Sequence, residues 1–120
     1  MDRIITTFGQ TDGEPGLATI TVQITDAHDA VLAAVTESIG NSTSDFAAYN
    51  AVLRGLQLAL DVDADKSEAL TYEVRTDNVT VQQQLSHAQP ITEPGLIPFF
   101  IEIHNLRIAH FPNVTYMVFD

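Results

Sequence analysis

Residues 43–60 restrict the fold more than any other part of the chain. Phe46, Tyr49, Leu53, Leu56 and Leu60 recur at three- and four-residue steps, the spacing of one helical face. A second stripe, Ala48, Val52, Gly55 and Ala59, is built mainly of small residues. A glycine inside a helix costs about 1 kcal/mol relative to alanine. Gly55 therefore predicts a face that lies close on a flat surface, which means a sheet. Residues 40–44 read as a loop supplying the helix N-cap, and Asp45 stands where the positive helix end favours an acid.

The flanking sequence supplies that sheet. Residues 3–8 are rich in Ile and Thr and read as a strand. Gly9, Gly13, Pro15 and Gly16 then mark a wide hairpin connection. A phosphate cradle is the weaker reading there, because no Lys-Ser/Thr pair follows and no helix opens. In residues 18–25, Ile20, Val22 and Ile24 alternate with Thr19, Thr21 and Gln23, as in a half-buried strand. A turn at 26–29 leads to a third strand over 30–39, completing an antiparallel meander.

Beyond the helix, residues 61–66 begin like a calcium loop. Lys66 stands where that loop needs glycine and Tyr72 where it needs an acid, so a solvated connection is expected. A fourth strand over 70–75 stops at Thr76-Asp77, and a short helix spans 78–86. Glu93-Pro94-Gly95 opens another helix, with Leu96, Phe99, Phe100, Ile103, Leu106 and Arg107 at helical spacing. Residues 114–119 form the fifth strand. The order β-β-β-α-β-α-α-β predicts an α/β fold: a five-stranded mixed sheet, three strands antiparallel and two in βα crossovers, with helices on both faces.

With 120 residues, one domain is expected. Sixteen acidic residues against five basic ones give a net charge of −11. That balance disfavours nucleic acid and anionic membranes as partners, since phosphate neutralisation by Lys and Arg supplies most non-specific affinity. Arg54 and Arg75, with Lys66 and Arg107, are the cations such binding would need. Cysteine is absent, which removes disulfides and thiolate metal sites. The four histidines show no metal-ligand spacing. Without a signal pattern at Met1-Asp2-Arg3-Ile4 or an apolar run of about 18 residues, the chain reads as cytoplasmic.

In this order, these motifs resemble the ribonuclease H family of type 1 along nearly the whole chain. Gly9, Gly13, Pro15 and Gly16 match the spacing of that family's first strand and Gly-Asn-Pro-Gly turn. Thr43, Ala47, Tyr49, Ala51, Gly55 and Leu56 match its main helix. Asp77, Gln84 and Leu85 match the end of its fourth strand and the helix beyond, and Glu93-Pro94, Leu96, Phe111, Asn113 and Val114 follow its later pattern.

The resemblance implies hydrolysis of the RNA strand of RNA–DNA hybrids by two Mg²⁺ or Mn²⁺ ions held on converging carboxylates. At the family's acid positions this chain carries Phe8, Ala48 and Asp77, and the fourth position, on a C-terminal helix, lies beyond Asp120. The expectation is a shortened ribonuclease H-like domain without nuclease activity or cofactor, acting by binding or self-association. Asp77 is expected to cap the following helix rather than hold a metal. The alternatives are a weak nuclease that rebuilds a site from Asp77, Asp45 and Asp12, and non-catalytic nucleic-acid binding through Arg54 and Arg75. Loss of the C-terminal helix would bare apolar surface near Val114, Tyr116 and Val118, a candidate homodimer contact.

Overall fold

The computed structural model describes residues 1–119. Strands β1 (Arg3–Thr11), β2 (Gly16–Asp26) and β3 (Val31–Ser42) form the meander, followed by helix α1 (Ser44–Asp63). A 3-10 turn (Ala64–Glu68) leads into β4 (Tyr72–Thr76) and helix α2 (Val79–Leu85). A second 3-10 turn (Pro94–Leu96) opens helix α3 (Ile97–His110), and β5 (Val114–Val118) completes the sheet. The strand order is β3-β2-β1-β4-β5, with β1 antiparallel to β2 and parallel to β4, and β4 parallel to β5. The five-stranded mixed sheet read from the sequence is the observed one.

Helix α1 crosses the sheet as its small stripe requires. A Cβ on Gly55 would lie 2.7 Å from Ile5 Cγ2 and 3.2 Å from Thr7 Cγ2, so only glycine lets the helix sit this low on β1. Nearer the helix start the missing side chain belongs to the strand. A Cβ on Gly9 would come within 2.5 Å of the Ala48 nitrogen. Thr7, buried beside Gly55, donates its hydroxyl to the Arg75 carbonyl at 2.8 Å, so its own polar group is met. Around α1 the core gathers Ile5, Val22, Ile24, Tyr72 and Val74 from the strands with Val81, Leu96, Ile103 and Phe111.

Helices on both faces were expected, but α1, α2 and α3 pack against a single face through this one core. The physical reason is handedness. β1, β4 and β5 are parallel and follow one another across the sheet, and right-handed crossovers progressing in one direction stay on one side. The alternate residues of β2, Thr19, Thr21 and Gln23, turn to the other face and are polar.

Other expectations need correction. Strand β1 runs on through Gly9 to Thr11, and β3 through Gly40 to Ser42, so both loops are shorter than read. The 61–66 segment is solvated apart from Asp63, but it is the end of α1 and the start of a 3-10 turn rather than a loop. Asp63, 4% exposed, ends α1 and accepts from Arg3 Nη2 at 3.0 Å and from the Tyr72 hydroxyl at 2.6 Å. The apolar patch near Val114, Tyr116 and Val118 does not exist as described. Val114 and Tyr116 are buried in the helix-covered core, and Val118 is partly buried. Strand parity turns Met117 outward instead, at 48% exposure. No helix is long and apolar enough to cross a membrane among the described residues.

Candidate functional site

The ends of β1, β4 and β5 and the start of α1 meet at the position where the resemblance places the reactive centre. Phe8 lies opposite Thr21 of β2 and turns to the uncovered face. Its ring stacks on Phe119, centroids 4.9 Å apart and planes within 2°. Ala48, 1% exposed, lies on the covered side beside the bare backbone of Gly9. Asp77 follows the last residue of β4 and is exposed. The structure thus brings the three positions to one end of the sheet, with a ring, a methyl group and one carboxylate as their chemistry.

Asp77 does not cap α2. Asn78 does: its side-chain oxygen accepts from Val81 N at 3.0 Å, while its Nδ2 donates to Asp45 Oδ1 at 2.7 Å. Asp77 sits one residue early, and its carboxyl faces its own N–H and that of Gly9. Crowding by the chain raises its pKa above the ordinary carboxylate value, and those two N–H groups only partly oppose the shift. A carboxyl with a raised folded-state pKa stabilises at acid pH, and that contribution is lost as pH rises through the folded value. Asp77→Asn is therefore expected to match or exceed the parent in melting temperature. Its advantage should be larger at about pH 7 than near pH 3. Thermal melts at both values check this, and a larger advantage at acid pH would contradict it.

The acids that could substitute for the missing ones are already engaged. Asp12 accepts from Leu17 N at 2.7 Å and closes the β1–β2 turn. Glu14 accepts from Ser44 N at 2.8 Å, occupying the N-terminus of α1. Asp45 is held by Asn78, which brings it to the residue beside Asp77 but ties up one of its oxygens. Among the described residues, no three His, Asp or Glu side chains converge as metal ligands. A two-metal centre needs several free carboxylate oxygens aimed at one point, and this donor set does not fit one.

Two of the four candidate cations are likewise paired. Arg54 Nε meets Glu37 at 3.0 Å, and Arg75 Nε meets Glu73 at 2.6 Å. Arg107 makes no ion pair among the described residues. It belongs to a group that sequence reasoning missed, in the clefts between α2, α3 and β5, where His87 and His104 also stand. The four-residue step from Phe100 to His104 was a legible sign of that group. The arrival of His87 from another helix was not.

Comparisons with known proteins bear on the family and the fold. Residues 7–117 match the profile of a family described as reverse transcriptase-like. No curated protein matches significantly. Among solved structures, the chain is similar to LC11 ribonuclease H1, isolated from compost by a metagenomic approach and crystallised with an RNA/DNA hybrid. Identity is 30%, over 98% of this chain and 84% of that one, with a TM-score of 0.92. The N-terminal ribonuclease H domain of a Mycobacterium tuberculosis protein is 24% identical over 100% and 88% of the two chains, TM-score 0.88. Ribonuclease H1 of Halobacterium salinarum is 23% identical over 97% and 85%, TM-score 0.82. The last two bear on the fold alone. With the profile spanning nearly all of its length and LC11 ribonuclease H1 matching it almost throughout, this chain belongs to the ribonuclease H family.

Proposed function

We propose that this ribonuclease H-like chain does not hydrolyse hybrids and acts by binding. The observation that carries the reading is the Phe8–Phe119 stack: an aromatic pair fills the position of the family's first acid. Burying charge beside such a pair without a partner costs several kcal/mol, roughly 2–7 for a merely polar group and more for an ion. Ala48 supplies no oxygen at the second position, and Asp12, Glu14 and Asp45 each already accept a hydrogen bond. The expected result is no cleavage of a labelled RNA–DNA hybrid in Mg²⁺ or Mn²⁺. Cleavage by the native chain that disappears in Asp77→Asn would overturn the reading in favour of a weak metal-dependent nuclease.

Between the binding readings, hybrid binding through inherited cations has the weaker support. Arg54 and Arg75 are held by Glu37 and Glu73, and the net charge is −11. Self-association finds support at a different place from the one read in the sequence. Ile97, Ile101 and Ile108 of α3 are exposed, the last at 68%, and their four- and seven-residue steps put them on one outward helix face.

A further inference from the structure

In a chain with sixteen acidic residues, three adjoining clefts hold none in their walls among the described residues. They lie where the end of α2 meets α3 and β5, and His87 borders all three. One, of about 460 Å³, is walled by Gln84, Gln89, Pro90, Ile91 and Phe100 beside His87. Its apolar sides and two amides suit a planar heterocycle. Another, of about 320 Å³, presents Arg107, Ser86 and Thr115 beside His87, donors of the kind a phosphate takes. Between them Phe100 and His104 are stacked, planes 5° apart, and His87 meets both edge-on at centroid distances of 5.9 and 6.4 Å.

The backbone at His87 points the same way. Ala88 N donates to Gln83 O at 2.8 Å and His87 N to Gln84 O at 3.1 Å, the paired bonds of a Schellman helix end. In that motif the residue after the cap is left-handed and is usually glycine. Here it is His87, at φ 62°. Left-handed non-glycine residues carry a steric penalty and cluster at ligand sites, although Asp29 and Ala64 share the conformation here without a cleft of this kind. Arg107, without an acidic partner among the described residues, lies close enough to the buried Tyr116 hydroxyl to oppose the rise of its pKa, which burial pushes up to about 12.

We propose that this pair of clefts is a mononucleotide site, with the heterocycle between Pro90, Ile91 and Phe100 and the phosphate on Arg107 and His87. The site stands whether or not the chain cleaves hybrids, because it uses none of Phe8, Ala48 and Asp77. The net negative charge opposes any anion at long range but is screened beyond about 10 Å, so Arg107 and the neighbouring hydrogen-bond donors decide.

Titration of the whole chain with adenosine 5′-monophosphate tests the site, read by calorimetry and by the NMR signals of the His87 and His104 rings. Saturation below about 1 mM is expected, with adenosine and inorganic phosphate each weaker by about tenfold or more. His87→Gly removes the side chain and relieves its backbone, so it should raise the melting temperature while weakening the nucleotide about tenfold. Arg107→Gln should weaken it similarly and leave adenosine unchanged. No saturation by about 10 mM, or undiminished binding by a folded His87→Gly variant, would overturn the proposal. So would inorganic phosphate binding as tightly as the nucleotide, which would mark an adventitious anion only. A dinucleotide lacking a terminal phosphate but binding equally well would overturn the assignment to a mononucleotide.

Discussion

Gly9→Ala is expected to destabilise the protein by about 3 kcal/mol or more, the upper end of what overpacking costs. The added carbon would come within 2.5 Å of the Ala47 carbonyl oxygen and the Ala48 nitrogen, both backbone atoms of α1. A flexible side chain could swing away, but a helix backbone cannot. Either α1 lifts from β1, undoing the burial of Ala48, Val52 and Leu56, or β1 breaks its pairing with Ile20. Gly55→Ala is a useful contrast. There the nearest atoms are γ-methyls of the β-branched Ile5, Thr7 and Val22, stiff at χ1 but side-chain rather than backbone, at 2.7, 3.2 and 3.4 Å, and the new residue gains helix propensity. Urea denaturation of both variants checks the ranking. If Gly9→Ala costs no more than Gly55→Ala, the account of this contact is wrong.

Loss of Asp63 ranks beside it. Asp63→Ala strips the Arg3 guanidinium and the Tyr72 hydroxyl of their shared acceptor, and Tyr72 is fully buried. Breaking a buried pair by deleting one partner costs about 3–5 kcal/mol, because the stranded group keeps its desolvation penalty. The side chain of Arg3 is 20% exposed and can reach water, so the lower part of that range is expected. The triple change Asp63→Leu/Arg3→Met/Tyr72→Phe should recover much of the loss. Denaturation midpoints of the single and triple variants decide this, and equal losses would mean that packing, not the polar network, sets the cost.

What the sequence made legible was what local spacing encodes. Gly55 announced close packing of α1, and the Ile20-Val22-Ile24 alternation announced the covered face of β2, because periods of 3.6 and 2 are written in neighbouring residues. Gly9 was visible only as a turn residue, and its contact with α1, more than thirty-five residues on, was not. The Arg3–Asp63 pair spans sixty positions and has no local sign. Asp63 was therefore read as one of several solvated acids. The face occupied by the helices follows from strand order, which periodicity does not carry. At the candidate site, the family pattern placed Phe8, Ala48 and Asp77 at one end of the sheet. It could not show that Phe119 would stack on Phe8, that Asn78 would displace Asp77 as the helix cap, or that Asp12 and Asp45 would be occupied.

The position of β1 also bears on how this chain comes off the ribosome. First in sequence, β1 is third in the sheet order, flanked by β2 on one edge and β4 on the other. The β2 edge can close as soon as the hairpin has emerged. The other edge has no partner until Tyr72 and the residues after it are made, by which time β2, β3 and α1 have all been synthesised. Throughout that interval the nascent chain presents an unpaired central strand beside a half-built core, the kind of edge that recruits other chains. The open edge of β1 therefore persists in chains that end before residue 72, and pairing of β4 with β1 transfers it to β4 until β5 is made.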